Sequence, residues 1–226
     1  MASKRKAVLV LGATRETGLE VVKLFMARGE PVVAVARKTS DIADLKDTGA
    51  PIAIGDAFDR AGLERIFAEH DFGAVVSSLG GHPGDERRVD YEGSVNAIEA
   101  AKAAGVKRFI MITMIGAGDS DGAGSPEARQ AFAKVRALKT RAEDYLKASG
   151  LDYTVLRPGG MKSEPATGRG MLSEDRKMMG VIHRADLAAL ARQCLDDDAT
   201  IGRTYATVDR EMIGTPKFEA PWLKKA

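Results

Sequence analysis

Residues 7–18 read AVLVLGATRETG: a five-residue apolar run from Ala7 to Leu11, a glycine turn, and the start of an apolar-rich segment that continues from Leu19 to Ala27. An apolar run of that length directly before glycine predicts a buried parallel strand, and the segment behind it predicts a helix. Gly12 permits the tight exit from the strand, and Gly18 removes the side chain that would hold the helix away from the sheet. A helix opening at this turn presents free backbone N–H groups and the positive end of its dipole, an arrangement suited to a pyrophosphate. The stretch predicts a dinucleotide-binding unit.

Outward from it, the alternation of strand and helix continues. Gly29-Glu30-Pro31 ends the helix, and Val32 to Ala36 reads as a second buried strand ending at Arg37-Lys38, which completes a β-α-β unit. The pattern then predicts a polar helix at 41–48, a strand at 51–54 closed by Gly55-Asp56, a helix at 59–68 and a strand at 74–78. A loop follows at 79–84, then a helix at 89–104 stopped by Gly105 and a strand at 108–113. After a loop at 116–126, Glu127 to Ser149 predicts the longest helix, starting behind Pro126 and carrying Glu143 at helical spacing from Lys139 and Lys147. Tyr153 to Leu156 reads as a strand halted by Arg157-Pro158-Gly159-Gly160. Lys162 to Gly180 is polar and methionine-rich without a period, and reads as a lid or substrate loop. A short helix at 186–195 and a strand at 203–208 precede a tail of ambiguous pattern. The expectation is an α/β chain, one domain over 1–226, with a Rossmann-type doubly wound parallel sheet and a small C-terminal substrate-side extension.

Composition narrows the function classes. The formal net charge is only +2, with both signs spread along the chain, which gives no electrostatic case for nucleic acid or an acidic membrane surface and favours a small-molecule substrate. The single cysteine, Cys194, excludes an intramolecular disulfide. With three separated histidines, His70, His82 and His183, there is no metal-ligand spacing. No apolar run approaches the roughly 20 residues of a membrane span, and the basic start MASKRK leads into the first strand without a leader-like pattern. A cytoplasmic location is expected. Oligomeric state is left open.

The end of the second strand addresses which dinucleotide binds. A carboxylate there accepts from the ribose 2′-hydroxyl of NAD, whereas a cation suits the 2′-phosphate of NADP. Arg37 and Lys38 stand at that end, so NADP(H) is expected.

GATRETG at 12–18, VARK at 35–38, GD at 55–56, ITMIGAG at 112–118, SGLDYTVLRPGGM at 149–161 and HRADLA at 183–188 together resemble the atypical, NmrA-like short-chain dehydrogenase/reductases, in particular the small group around biliverdin/flavin reductase. The resemblance runs from Ala7 to about Val208 and implies an NADP-dependent reductase. It implies that Arg15 contacts the same phosphate as Arg37, that Asp56 and Ala57 meet the adenine, and that Pro158, Gly159, Gly160 and Met161 back the nicotinamide. Thr14 and Thr17 in the turn, with Ser78, Leu79 and Gly80 at the fourth-strand exit, complete the expected cofactor contacts. Glu16 departs from the small residue usual in that turn, and is expected to point outward with Arg15 offsetting its charge.

In the better-known members a Tyr donates the proton, a Ser holds the developing oxyanion, and a Lys lowers the Tyr pKa and binds ribose. Here the Tyr-x-x-x-Lys spacing reads Val135 to Lys139, and the usual Ser pair reads Thr113-Met114. Thr113 and Lys139 are the remaining candidates for catalysis and for cofactor contact, set against a backbone-satisfied loop hydroxyl and a solvated helix lysine. Three readings follow: hydride transfer to a conjugated acceptor or carbonyl (flavin, quinone, bilin or ketone class), a non-catalytic NADP(H) redox sensor acting through a protein partner, and an isomerase or epimerase that retains its cofactor. Met114, Met161, Met171, Met178 and Met179 are candidates for an apolar acceptor pocket, set against plain packing, the commoner role of methionine. His82 reads as a surface histidine, set against a place near the substrate entrance, and the charges of Arg184-Ala185-Asp186, just after His183, are expected to anchor the last helix.

Overall fold

The computed structural model describes residues 5–82 and 85–214, so residues 1–4, the end of the 79–84 loop and the C-terminal tail lie outside the described residues. Ten strands and seven α-helices run in the order β1 (Ala7–Leu11), α1 (Glu16–Ala27), β2 (Val32–Ala36), α2 (Ala43–Asp47), β3 (Ile52–Ile54), α3 (Arg60–Glu69), β4 (Phe72–Ser77), α4 (Val89–Ala103), β5 (Arg108–Ile112), α5 (Pro126–Ala131), α6 (Ala133–Ala148), β6 (Asp152–Pro158), β7 (Gly160–Lys162), β8 (Gly170–Ser173), β9 (Val181–His183), α7 (Arg184–Asp196) and β10 (Arg203–Asp209). Eight strands form one sheet in the order β3-β2-β1-β4-β5-β6-β10-β8, parallel except for β8, which runs antiparallel to β10. β7 and β9 form a separate parallel pair.

The strands are apolar on both faces because each face carries its own layer of helices. Val8, Val10, Val32, Ala34, Val76, Ile110 and Leu156 are packed into one layer with Leu19, Val22 and Phe25 of α1 and Leu187 and Ala191 of α7. Their neighbours Leu9, Leu11, Val33, Val75, Phe109 and Val155 join Leu63 and Phe67 of α3, Ala97 and Ile98 of α4, and Leu146 of α6 in the other. The period-two alternation thus divides one run of valines and leucines between two cores. Strand order reverses direction between β1 and β4, the switch point beside which α/β sheets place their ligands.

Three expectations are corrected. The segment 127–149 is not one helix: it breaks at Phe132 (φ −99°, ψ 6°), a residue that is neither Gly nor Pro and so gives no warning in the sequence. Arg157-Pro158 does not halt β6, since the Pro158 carbonyl accepts from the Ile115 amide (2.9 Å) and the Gly159 amide donates to Thr207 O (3.1 Å). The segment 162–180 is not all loop: β8 closes the sheet edge against β10, with Leu172 opposite Thr207 and Met171 opposite Val208.

Candidate functional site

A cleft of about 840 Å³ lies at the C-terminal ends of β1 to β4. Its walls are the turn Gly12, Thr14, Arg15, Glu16; the β2 exit Arg37, Thr39, Ser40; Asp56 and Ala57 after β3; and Ser78 to His82 after β4. Gly12 adopts φ +74°, and a Cβ there would overlap the Ser78 carbonyl; a Cβ on Gly18 would overlap the carbonyl of Gly12. The β1 exit therefore lies against the β4 exit, and the first turn of α1 against the β1 exit, so closely that only glycine fits at either point. Arg15, the N-cap of α1, makes no side-chain cap, so the amides of the first helical turn are left for a ligand. This cradle fits the pyrophosphate of a dinucleotide.

Charge on the walls is uneven. Among the described residues neither Arg15 nor Arg37 is engaged in an ion pair, and both line the cleft; Lys38 is exposed and off the wall. Arg87 lies over the Phe58 ring at 4.1 Å and is tied to Glu92. The Asp56 carboxylate accepts from the Phe58 amide (2.9 Å), which fixes its own turn, while the Ala57 carbonyl accepts from Asn96 (2.8 Å). Glu16 does point outward, 61% exposed, but its partner is Arg184 of α7 at 3.7 Å and not Arg15.

The two candidates for catalysis are both buried. Lys139 donates to the Leu79 carbonyl and sits 3.2 Å from Asp90, a fully buried carboxylate. Burial pushes its ammonium below the usual lysine range, and Asp90 opposes that shift. Lys139 is no solvated helix lysine; it braces the β4 exit from beneath. Asp90 also accepts from the Gly81 amide (3.1 Å) and pairs with Arg88 (2.9 Å), whose guanidinium donates to the carbonyls of Gly81 (3.0 Å) and His82 (2.7 Å). The Thr113 hydroxyl donates to Glu143 (2.8 Å), so neither backbone nor cleft receives its proton. Glu143 in turn accepts from Arg157 (3.1 and 2.6 Å), and Arg157 also reaches Asp119 (2.5 Å).

At β7, Met161 lies 40% exposed with its sulfur 3.6 Å from the Thr17 hydroxyl, which sets β7 against the start of α1. Of the methionines, Met171, Met178 and Met179 take the packing alternative, against Ile115, Ala206 and Val208. His183 binds Pro165 O through Nδ1 (2.7 Å), and Asp186 accepts from Thr167 and Gly168, so this pair anchors the 163–169 segment as well as α7. Among the described residues no group of three or more His, Cys, Asp or Glu is placed to hold a metal, and no helix is long and apolar enough to cross a membrane.

Sequence reading missed Asp90, Arg88, Glu143, Arg157 and Arg184. Glu143 carried a misleading signal: its spacing from Lys139 and Lys147 matches an exposed helix face, yet it is fully buried, and of those two lysines Lys147 alone pairs with it, at 3.5 Å.

A family model described as NAD(P)H-binding matches residues 12–198. The chain is 32% identical to an uncharacterized sugar epimerase, YhfK, of Bacillus subtilis, over 96% of its own length and 99% of the relative's. Among solved structures it is similar to ChuY, an anaerobillin reductase from Escherichia coli O157:H7 (30% identity, TM-score 0.80, covering 95% of this chain and 99% of that one). It is also similar to a putative NAD-dependent epimerase/dehydratase from Bacillus halodurans (28% identity, TM-score 0.76, 93% and 96% covered).

Proposed function

Because the chain belongs to the NAD(P)H-binding family, in its atypical short-chain dehydrogenase/reductase branch, we propose that it is an NADPH-dependent reductase of flat, conjugated acceptors such as bilins, flavins or quinones. The observation that carries the reading is that none of the three residues standing at the family's catalytic positions lines the cleft as a proton donor. Val135 stands where the family's tyrosine would be, Thr113 gives its proton to Glu143, and Lys139 gives one to Leu79 O. Reduced nicotinamide, when bound, supplies the hydride. An acceptor that spreads the resulting charge over a conjugated system and takes its proton from water needs only orientation from the protein, whereas a simple ketone needs the missing acid.

The chain's own residues divide the work. Gly12, Gly18 and the uncapped start of α1 receive the pyrophosphate. Arg37 and Arg15 offer cations to a 2′-phosphate, which supports NADPH over NADH. Lys139 holds the Leu79 carbonyl, Arg88 those of Gly81 and His82, and Asp90 the Gly81 amide, so that the far wall keeps its shape. Pro158 to Met161 lead β7 across the front of α1, and Met161 offers a polarizable surface to a flat ring. The similarity to ChuY, a protein described as an anaerobillin reductase, supports a linear tetrapyrrole among the acceptors.

The test is oxidation of NADPH, with NADH in parallel, across bilins, flavins, quinones, aldehydes and ketones. Saturable turnover confined to the conjugated acceptors is expected. Turnover of simple ketones at comparable rates, or none with any acceptor while NADPH binds, would refute the reading; the second result would point to a redox sensor.

A further inference from the structure

Glu16 is the one non-glycine residue among those described that holds a positive φ, +50°. That conformation is strained for an L-residue, and here it falls on a carboxylate at the first residue of α1, on the wall of the cleft that takes the pyrophosphate. A carboxylate free to turn inward there opposes the ligand that the turn is built for. Its partner, Arg184, is the first residue of α7, a position where the helix dipole disfavours a cation. Arg184 is nevertheless held: its side chain is only 15% exposed, Nη1 donates to Ser163 Oγ (3.0 Å), Nη2 faces Glu16, and Nε is buried with no hydrogen-bond partner. A guanidinium wedged in this way stays beside Glu16 instead of extending into solvent.

We propose that Arg184 is a positioning residue for the cofactor, acting through Glu16: it holds the Glu16 carboxylate turned outward, away from the pyrophosphate turn, and through Ser163 it ties that turn to the 163–169 segment. The inference rests on the NADPH reading above. It makes affinity for a dinucleotide depend on a residue more than 160 positions away in sequence and outside the cleft wall.

The test is a double-substitution cycle in the full chain, Arg184→Met, Glu16→Gln and both together, with NADPH affinity read by nucleotide fluorescence at about 20 mM and about 0.5 M salt. One like charge at about 6 Å with an effective dielectric near 40 corresponds to about tenfold in affinity. Arg184→Met should weaken binding about tenfold at low salt and by much less at high salt. The double variant should bind within about twofold of Glu16→Gln alone. An equal loss from Arg184→Met in both backgrounds would overturn the proposal, because it would mean direct contact or a role in folding; so would no loss at all. Absence of saturable NADPH binding by the unsubstituted chain would remove the functional reading itself, which separates the two failures.

Discussion

Replacing Arg157 by methionine probes the buried network under the β5 exit. Glu143 is fully buried and Arg157 is 2% exposed; the pair shares contacts of 3.1 and 2.6 Å, and Thr113 adds a third donor at 2.8 Å. Methionine keeps most of the stem's volume while removing the guanidinium, so the loss is chiefly electrostatic. What remains is a carboxylate in the core with one hydroxyl donor and Lys147 at 3.5 Å. Breaking a buried pair in this way costs about 3–5 kcal/mol. For a chain of this length each kcal/mol moves the melting temperature by about 2–4 °C, so Arg157→Met should lower it by roughly 6–20 °C. Arg157→Met with Glu143→Leu removes both charges and should recover most of that loss, less about 1 kcal/mol for the stranded Thr113 hydroxyl. Scanning calorimetry of the two variants decides it. A double variant no more stable than the single one would refute the claim that an uncompensated charge is the cause.

Two further outcomes are expected. Arg37→Ala should weaken NADPH by about 10- to 100-fold, the range for a charge-assisted phosphate contact, while leaving NADH nearly unchanged; equal losses in a titration of both would remove Arg37 from the 2′-phosphate site. The hydrogen bond from Arg192, assisted by Arg28, holds the Glu30 carboxyl at about 2 in the folded state against the opposing effect of burial. A depressed folded value contributes stability above the ordinary 4.5 and loses it as pH falls from there through about 2, so urea midpoints should drop less between pH 7 and pH 3 for Glu30→Gln than for the unsubstituted chain. Parallel declines would exclude Glu30 as a contributor.

The fold was legible where the physics is local. Val32 to Ala36 was assigned to a strand with both ends correct, because five buried residues between a turn and two cations leave little choice. Gly105 was read as the helix stop, and it holds φ +72°. β8 was missed because four half-buried residues among glycines carry no strand signal until β10 is present to pair with them. The cleft was legible at Gly12, Gly18 and Arg37, since turn geometry and charge type are properties of single residues. The bracing of that cleft was not: Lys139 meets Leu79 across 60 positions and Thr113 meets Glu143 across 30, and only tertiary packing reveals that a threonine's proton or a lysine's charge is already committed.

The Thr167 hydroxyl touches two buried carboxylates, Asp186 at 2.9 Å and Asp209 at 2.8 Å, and the Arg169 side chain returns to Asp209 at 3.1 Å. These stitches fasten the 163–173 stretch to α7 and the end of β10, none of which belongs to the dinucleotide cleft wall. On the proposed function the molecule is in this respect two instruments on one frame, the first half assigned to a nucleotide and the last quarter to an acceptor. A lineage could exchange the stretch between Met161 and Val181 for one of different shape and acquire a new acceptor, with the nucleotide half inherited intact.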